Sequence, residues 1–134
     1  MIKKIIKISF AIVFMLMQIG CKNSQQKLQE YVISYNESAK SFKSENVTLT
    51  TARGYIHDNK IELRFETDLK QNESDKKLAA AQFPKLLKEM INKGQIPKEL
   101  IEEGIQFDAY YLADDNTVFE KQILNKETIN EVVK

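Results

Sequence analysis

From Leu28 the apolar side chains fall at Leu28, Tyr31, Val32, Tyr35, Ala39 and Phe42. Those steps trace one face of an α-helix, and the pattern predicts a helix over 25–44. The period then changes to two. Val47, Leu49, Thr51 and Tyr55 alternate with mostly polar residues, as do Ile61, Leu63 and Phe65, and Asp58-Asn59 separates the runs. This predicts a β-hairpin over 47–69 with Asn at its tip, where φ > 0 is tolerated. A three-residue loop would place Tyr55, Ile61, Leu63 and Phe65 on one face.

A helical pattern returns after Ser74-Asp75, which reads as an N-cap followed by a first-turn acid. It carries Leu78, Ala79, Phe83, Leu86, Leu87, Met90 and Ile91 and stops at Gly94. Pro84 lies inside and is expected to kink or divide it near Phe83. Pro97 and Gly104 then bracket a short helix. A second hairpin, 105–124, surrounds Asp114-Asp115-Asn116. An odd loop there turns Ile105, Phe107, Ala109, Tyr111, Ala113, Phe119 and Ile123 to one side. Gln106, Asp108, Tyr110, Leu112, Val118, Glu120 and Gln122 fall on the other. Asn125 is placed to cap a short last helix, with Leu124 and Ile129 as a hydrophobic staple.

The order is αββ-αββ with a short C-terminal helix. It predicts an α+β, two-layer domain: a four-stranded antiparallel sheet with both long helices on one face. The expected division is 1–20 as a leader, 21–27 as a tether and 28–134 as a single domain.

The leader reading comes from the other end of the chain. Met1 to Lys7 is basic, and Ile8 to Met17 is apolar apart from Ser9. Ten helical residues span about 15 Å, half a hydrocarbon core, so the run suits an export signal better than a membrane span. It ends at Gly20-Cys21, and Cys21 is the only cysteine. This segment resembles the lipobox of bacterial lipoproteins, with Gly20 as the small residue before the cysteine. Gln18 stands where that family usually has Leu. The resemblance covers residues 1–21 and implies a diacylglyceryl group on the Cys21 sulfur, cleavage just before it, and a membrane partner through that lipid. The implied location is the bacterial cell envelope. Two or more acyl chains are needed for stable anchoring.

Charge and composition narrow the functional classes. The chain has 20 bases and 19 acids, and residues 1–20 contain three lysines and no acid. The remainder therefore holds 17 bases against 19 acids, a net charge of −2. That balance argues against a nucleic-acid partner. One cysteine allows neither an internal disulfide nor a multi-cysteine metal site. The four glycines form no phosphate loop, and no metal or cofactor is implied. Three Asn-x-Ser/Thr triplets begin at Asn36, Asn46 and Asn72 and are read as coincidental.

Candidate chemistry is sparse. His57, the only histidine, sits at a predicted hairpin tip, and no Gly-x-Ser-x-Gly elbow accompanies it. Asp114-Asp115-Asn116 lacks the spacing and glycine of a calcium loop. The expected role is a non-enzymatic module binding a protein or envelope component, as an inhibitor, immunity factor or assembly accessory. Its expected site is the sheet face away from the helices: Tyr110, Leu112 and Val118, with Ile56 and Arg64. Gly54 is expected on that outer face too. The alternatives are a small hydrolase using paired carboxylates, or a carrier with an enclosed apolar cavity.

Overall fold

The computed structural model describes residues 23–133. The leader expected over 1–20 and the lipid-bearing Cys21 lie outside the described residues. The chain folds as α1 (Ser24–Ser38), β1 (Val47–Tyr55), β2 (Lys60–Thr67), α2 (Glu73–Asn92), α3 (Lys98–Glu102), β3 (Gln106–Leu112), β4 (Val118–Leu124) and α4 (Ile129–Val132). The α+β class and the element order are as the periodicities predict.

The sheet runs β1-β2-β3-β4. Its two hairpins are antiparallel, but the central pair β2/β3 is parallel. This corrects the all-antiparallel expectation. The connection through α2 and α3 returns the chain to the starting end of β2 before β3 begins, the βαβ crossover that parallel strands require. Ile61, Leu63 and Phe65 of β2 and Phe107, Ala109 and Tyr111 of β3 bury completely, or nearly so, beneath the helices. Aromatic contacts stitch the layers together. Tyr31 of α1 meets Phe107 edge-on at 5.3 Å, and Phe83 of α2 lies 5.2 Å from Tyr111.

The first helix starts earlier and ends sooner than its periodicity suggests. Asn23 caps it: its Oδ1 accepts from the Gln26 N–H at 2.9 Å, and Gln26 Oε1 accepts from the Asn23 N–H. Residues 24–27 are therefore helix and not tether. At the far end a 3-10 turn over Ala39–Ser41 tightens the chain, and Phe42 is already extended. Phe42 nevertheless packs 6.0 Å from Phe65, so the apolar period outlives the α-helix. In α2 the cap is Asn72, which accepts from the Asp75 N–H and the Ser74 hydroxyl. The helix runs unbroken through Pro84, whose ring sits at the exposed surface. Asn125 caps the turn before α4, accepting from Glu127 and Thr128.

Both hairpins depart from their expected loop parity. Tyr55 pairs with Lys60, leaving a four-residue loop, Ile56–Asn59, with Asn59 at φ 49°. The even count turns Thr50, Ala52 and Gly54 inward and Tyr55 outward, the reverse of the expected faces. Gly54 is needed there. A Cβ at this position would lie 2.7 Å from Leu28 Cδ2 and 3.3 Å from Val32 Cγ2, so any side chain there would displace these groups and hold α1 farther from the sheet. In the second hairpin Tyr111 pairs with Glu120 but Leu112 with Val118, so Phe119 is an extra residue, a β-bulge. Phe119 still packs on the core. Ile123, expected inward, pairs with Asp108 on the outer face, and Glu120 and Gln122 take inner positions.

Helix α1 also closes the β1 edge. The Asn36 Nδ2 donates to the Ala52 carbonyl at 2.9 Å, and its Oδ1 accepts from the Ala52 N–H at 2.8 Å. One side-chain amide thus stands in for a fifth strand at the point where an edge would otherwise be open. Asn46, at φ 66°, donates to Gln82.

Candidate functional site

The four strands lay out the outer face as a grid, read across from β1 to β4. Tyr55, Lys60 and Gln106 form the first row; Arg53, Glu62, Asp108 and Ile123 the second. Thr51, Arg64, Tyr110 and Lys121 form the third; Leu49, Glu66, Leu112 and Val118 the fourth. Both long helices pack on the opposite face.

Charges and aromatic rings interlock within this grid. Arg53 Cζ and Lys60 Nζ lie 5.5 Å and 5.0 Å from the Tyr55 ring centroid. The Tyr55 hydroxyl donates to Glu62 at 3.3 Å, and Arg64 reaches the same carboxylate at 4.0 Å. Lys121 Nζ stands 5.2 Å from the Tyr110 ring centroid. Its interaction with Tyr110, hydrogen bonding first and charge second, holds the Lys121 amine above the usual lysine range. Asp108 is only 5% exposed although it occupies an outer position. It is held by Gln106 Nε2 at 2.7 Å and Lys60 Nζ at 3.7 Å. The Arg64–Glu62 pair is partly open to solvent, where such pairs contribute roughly 0–1 kcal/mol, so it orients side chains more than it stabilises the fold.

The expected site residues part company here. Tyr110 is half-buried with one side of its ring under Lys121, Arg64 is its neighbour on β2, and Val118 is 50% exposed. These three share the outer face. Leu112 does not present a surface: between Glu66 and Val118 it is 2% exposed, so the expectation that it faces water is corrected. Ile56 belongs to the tight turn and packs against the core, because the even loop carries it inward. Alternation with a three-residue loop puts Tyr55 on the face of Ile61, Leu63 and Phe65; the four-residue loop instead brings it to the site. The missed signal is Arg53-x-Tyr55 facing Lys60-x-Glu62, a charged pairing that suits a solvated face.

A groove of about 490 Å3 opens on the helical side between α2, β4 and α4. Phe83, Leu87 and Val132 give it apolar walls, and Lys85, Gln122 and Glu131 stand around it. It is open to solvent, unlike the enclosed cavity a carrier requires, and Glu131 is the one carboxylate in its lining. His57 is exposed in the Ile56–Asn59 turn. Among the described residues, no group of three or more His, Cys, Asp or Glu side chains is placed to hold a metal ion, and no helix is long and apolar enough to cross a membrane. No family model, curated protein or solved structure matches this chain.

Proposed function

We propose that this chain is a small lipid-anchored lipoprotein of the bacterial cell envelope, held through Cys21. It acts without catalysis, binding another protein or an envelope component through the outer sheet face. The observation that carries this reading is the outer-face grid of tyrosines and fixed charges, on the side of the sheet away from the two long helices, with Tyr110, Arg64 and Lys121 in one row and Val118 beside them. Tyrosine and arginine are the residues that dominate binding energetics, and here cations already brace both rings. Mixed charge favours a partner of matching mixed polarity over a strongly acidic or basic one.

Size limits the kind of complex. Four strands about 4.8 Å apart and four rows about 7 Å apart give a face of roughly 400 Å2. That is about half of what one partner contributes to a standard interface. The face alone therefore suits transient contact, or one part of a larger footprint reaching the loops.

Recovery of partners from envelope extracts tests the site. The chain is compared with Tyr110→Ala and Arg64→Ala variants. Loss of a true anchor residue lowers recovery about fivefold or more; equal recovery removes the face from the proposal. Cys21→Ser is expected to release the protein from membranes and abolish lipid labelling, and persistent labelling would contradict the anchor.

A further inference from the structure

The start of α1 is fastened, not slack. Its capping box is complete at Asn23, Lys27 pairs with Glu103 at 2.5 Å, and Leu28 is fully buried against Gly54. Only Lys22 separates this cap from Cys21, and two residues reach at most about 7 Å. Helix α1 runs antiparallel to β1: Leu28 lies at Gly54, and farther along Tyr35 bonds Thr50. Its first turn therefore shares one end of the sheet with the Ile56–Asn59 turn, α3 and Asn125. Lys70 and the Asp114–Thr117 loop lie at the other end, about 23 Å away along the seven steps of β2.

From this placement, and resting on the lipid-anchor reading, we infer that the domain stands directly on the lipid surface. The end bearing His57 and α3 faces the headgroups, and the loops around Lys70 and Asp114 point away. The outer sheet face then stands edge-on to the bilayer. Its partner is held beside the same surface, within the height of one domain, and not far out in solution. Covalent attachment sets this orientation, and no basic patch is required.

The single cysteine makes the test direct. Once Cys21 carries lipid, an introduced thiol takes one fluorophore. The full chain, processed in a bacterial host, is prepared as His57→Cys and as Lys70→Cys. Each is reconstituted in phosphatidylethanolamine–phosphatidylglycerol vesicles bearing a headgroup-attached energy acceptor. With a donor–acceptor pair whose transfer distance is shorter than the separation of the two ends, the expected result is clearly greater loss of donor emission at position 57 than at position 70. A long Gly/Ser insertion between Lys22 and Asn23 is expected to erase the difference. Equal loss at both positions, greater loss at 70, or a difference that survives the insertion overturns the orientation. Intact mass separates the two claims: a lipidated chain with equal losses leaves the anchor standing, whereas an unmodified Cys21 overturns both.

Discussion

On β1 the side chains turned toward the helices are Thr50, Ala52 and Gly54; at the matching positions of β4 they are Glu120, Gln122 and Leu124. Small residues on one edge strand let α1 settle against the backbone. Long polar residues on the other leave the groove beside α2 and α4, with Gln122 in its lining. The same αββ order thus yields one tightly covered half and one loosely covered half. Side-chain size at the edge strand decides which, because a helix can approach a sheet only as far as the largest intervening groups permit.

The largest expected effect comes from making the tight half resemble the loose one. Gly54→Val puts a branched side chain where Leu28 and Val32 already sit and is expected to cost about 3 kcal/mol, read as a lower denaturation midpoint. Next is Asn36→Leu, which strips the Ala52 N–H and C=O of their partners. A loss of about 2 kcal/mol is expected, with faster amide exchange at Ala52.

Alkaline pH should also weaken the fold. Burial raises Tyr35 and Tyr111 from 10.0 to about 12, and also holds Tyr31 well above the usual tyrosine range. Between pH 10 and 12 the unfolded chain has released protons that the native chain retains, so stability present below pH 10 is lost as pH rises. Denaturant midpoints at stepped pH should fall across that window, and Tyr35→Phe should make the fall shallower. The smallest effect belongs to the loose half. Gln122→Leu, at the groove, should change stability by no more than about 0.5 kcal/mol. A cost equal to that of Gly54→Val would dissolve the contrast between the halves.

Much of this architecture is legible from residue order. The helical faces of α1 and α2, the two hairpins, and the Pro97/Gly104 bracket all follow from local periodicity and turn chemistry. Strand direction at the centre is not local. Residues 68–105 are long enough to bring β3 back in either sense, so nothing in the local pattern distinguishes the parallel pairing that forms. Register was lost for a different reason. An Asp-Asn tip supports odd and even loops alike, and the choice at Asn59 moved Tyr55 from the core to the site. In the second hairpin the bulge at Phe119 kept that residue inward while releasing Ile123. The site is therefore half visible: Tyr110, Arg64 and Val118 follow from alternation, whereas the burial of Leu112 and the partial burial of Ile56 depend on neighbours that alternation does not reveal.

The Asn36 clamp has a practical consequence for anyone making this protein. Asn36-Glu37-Ser38 is an acceptor triplet for N-linked glycans, and its Nδ2 is the atom already bound to Ala52. A secretory eukaryotic host that attached a sugar there before folding finished would wedge a saccharide between helix and strand. Yield from such a host should rise when Ser38 is replaced by Ala, which removes this one of the three triplets and leaves the clamp intact.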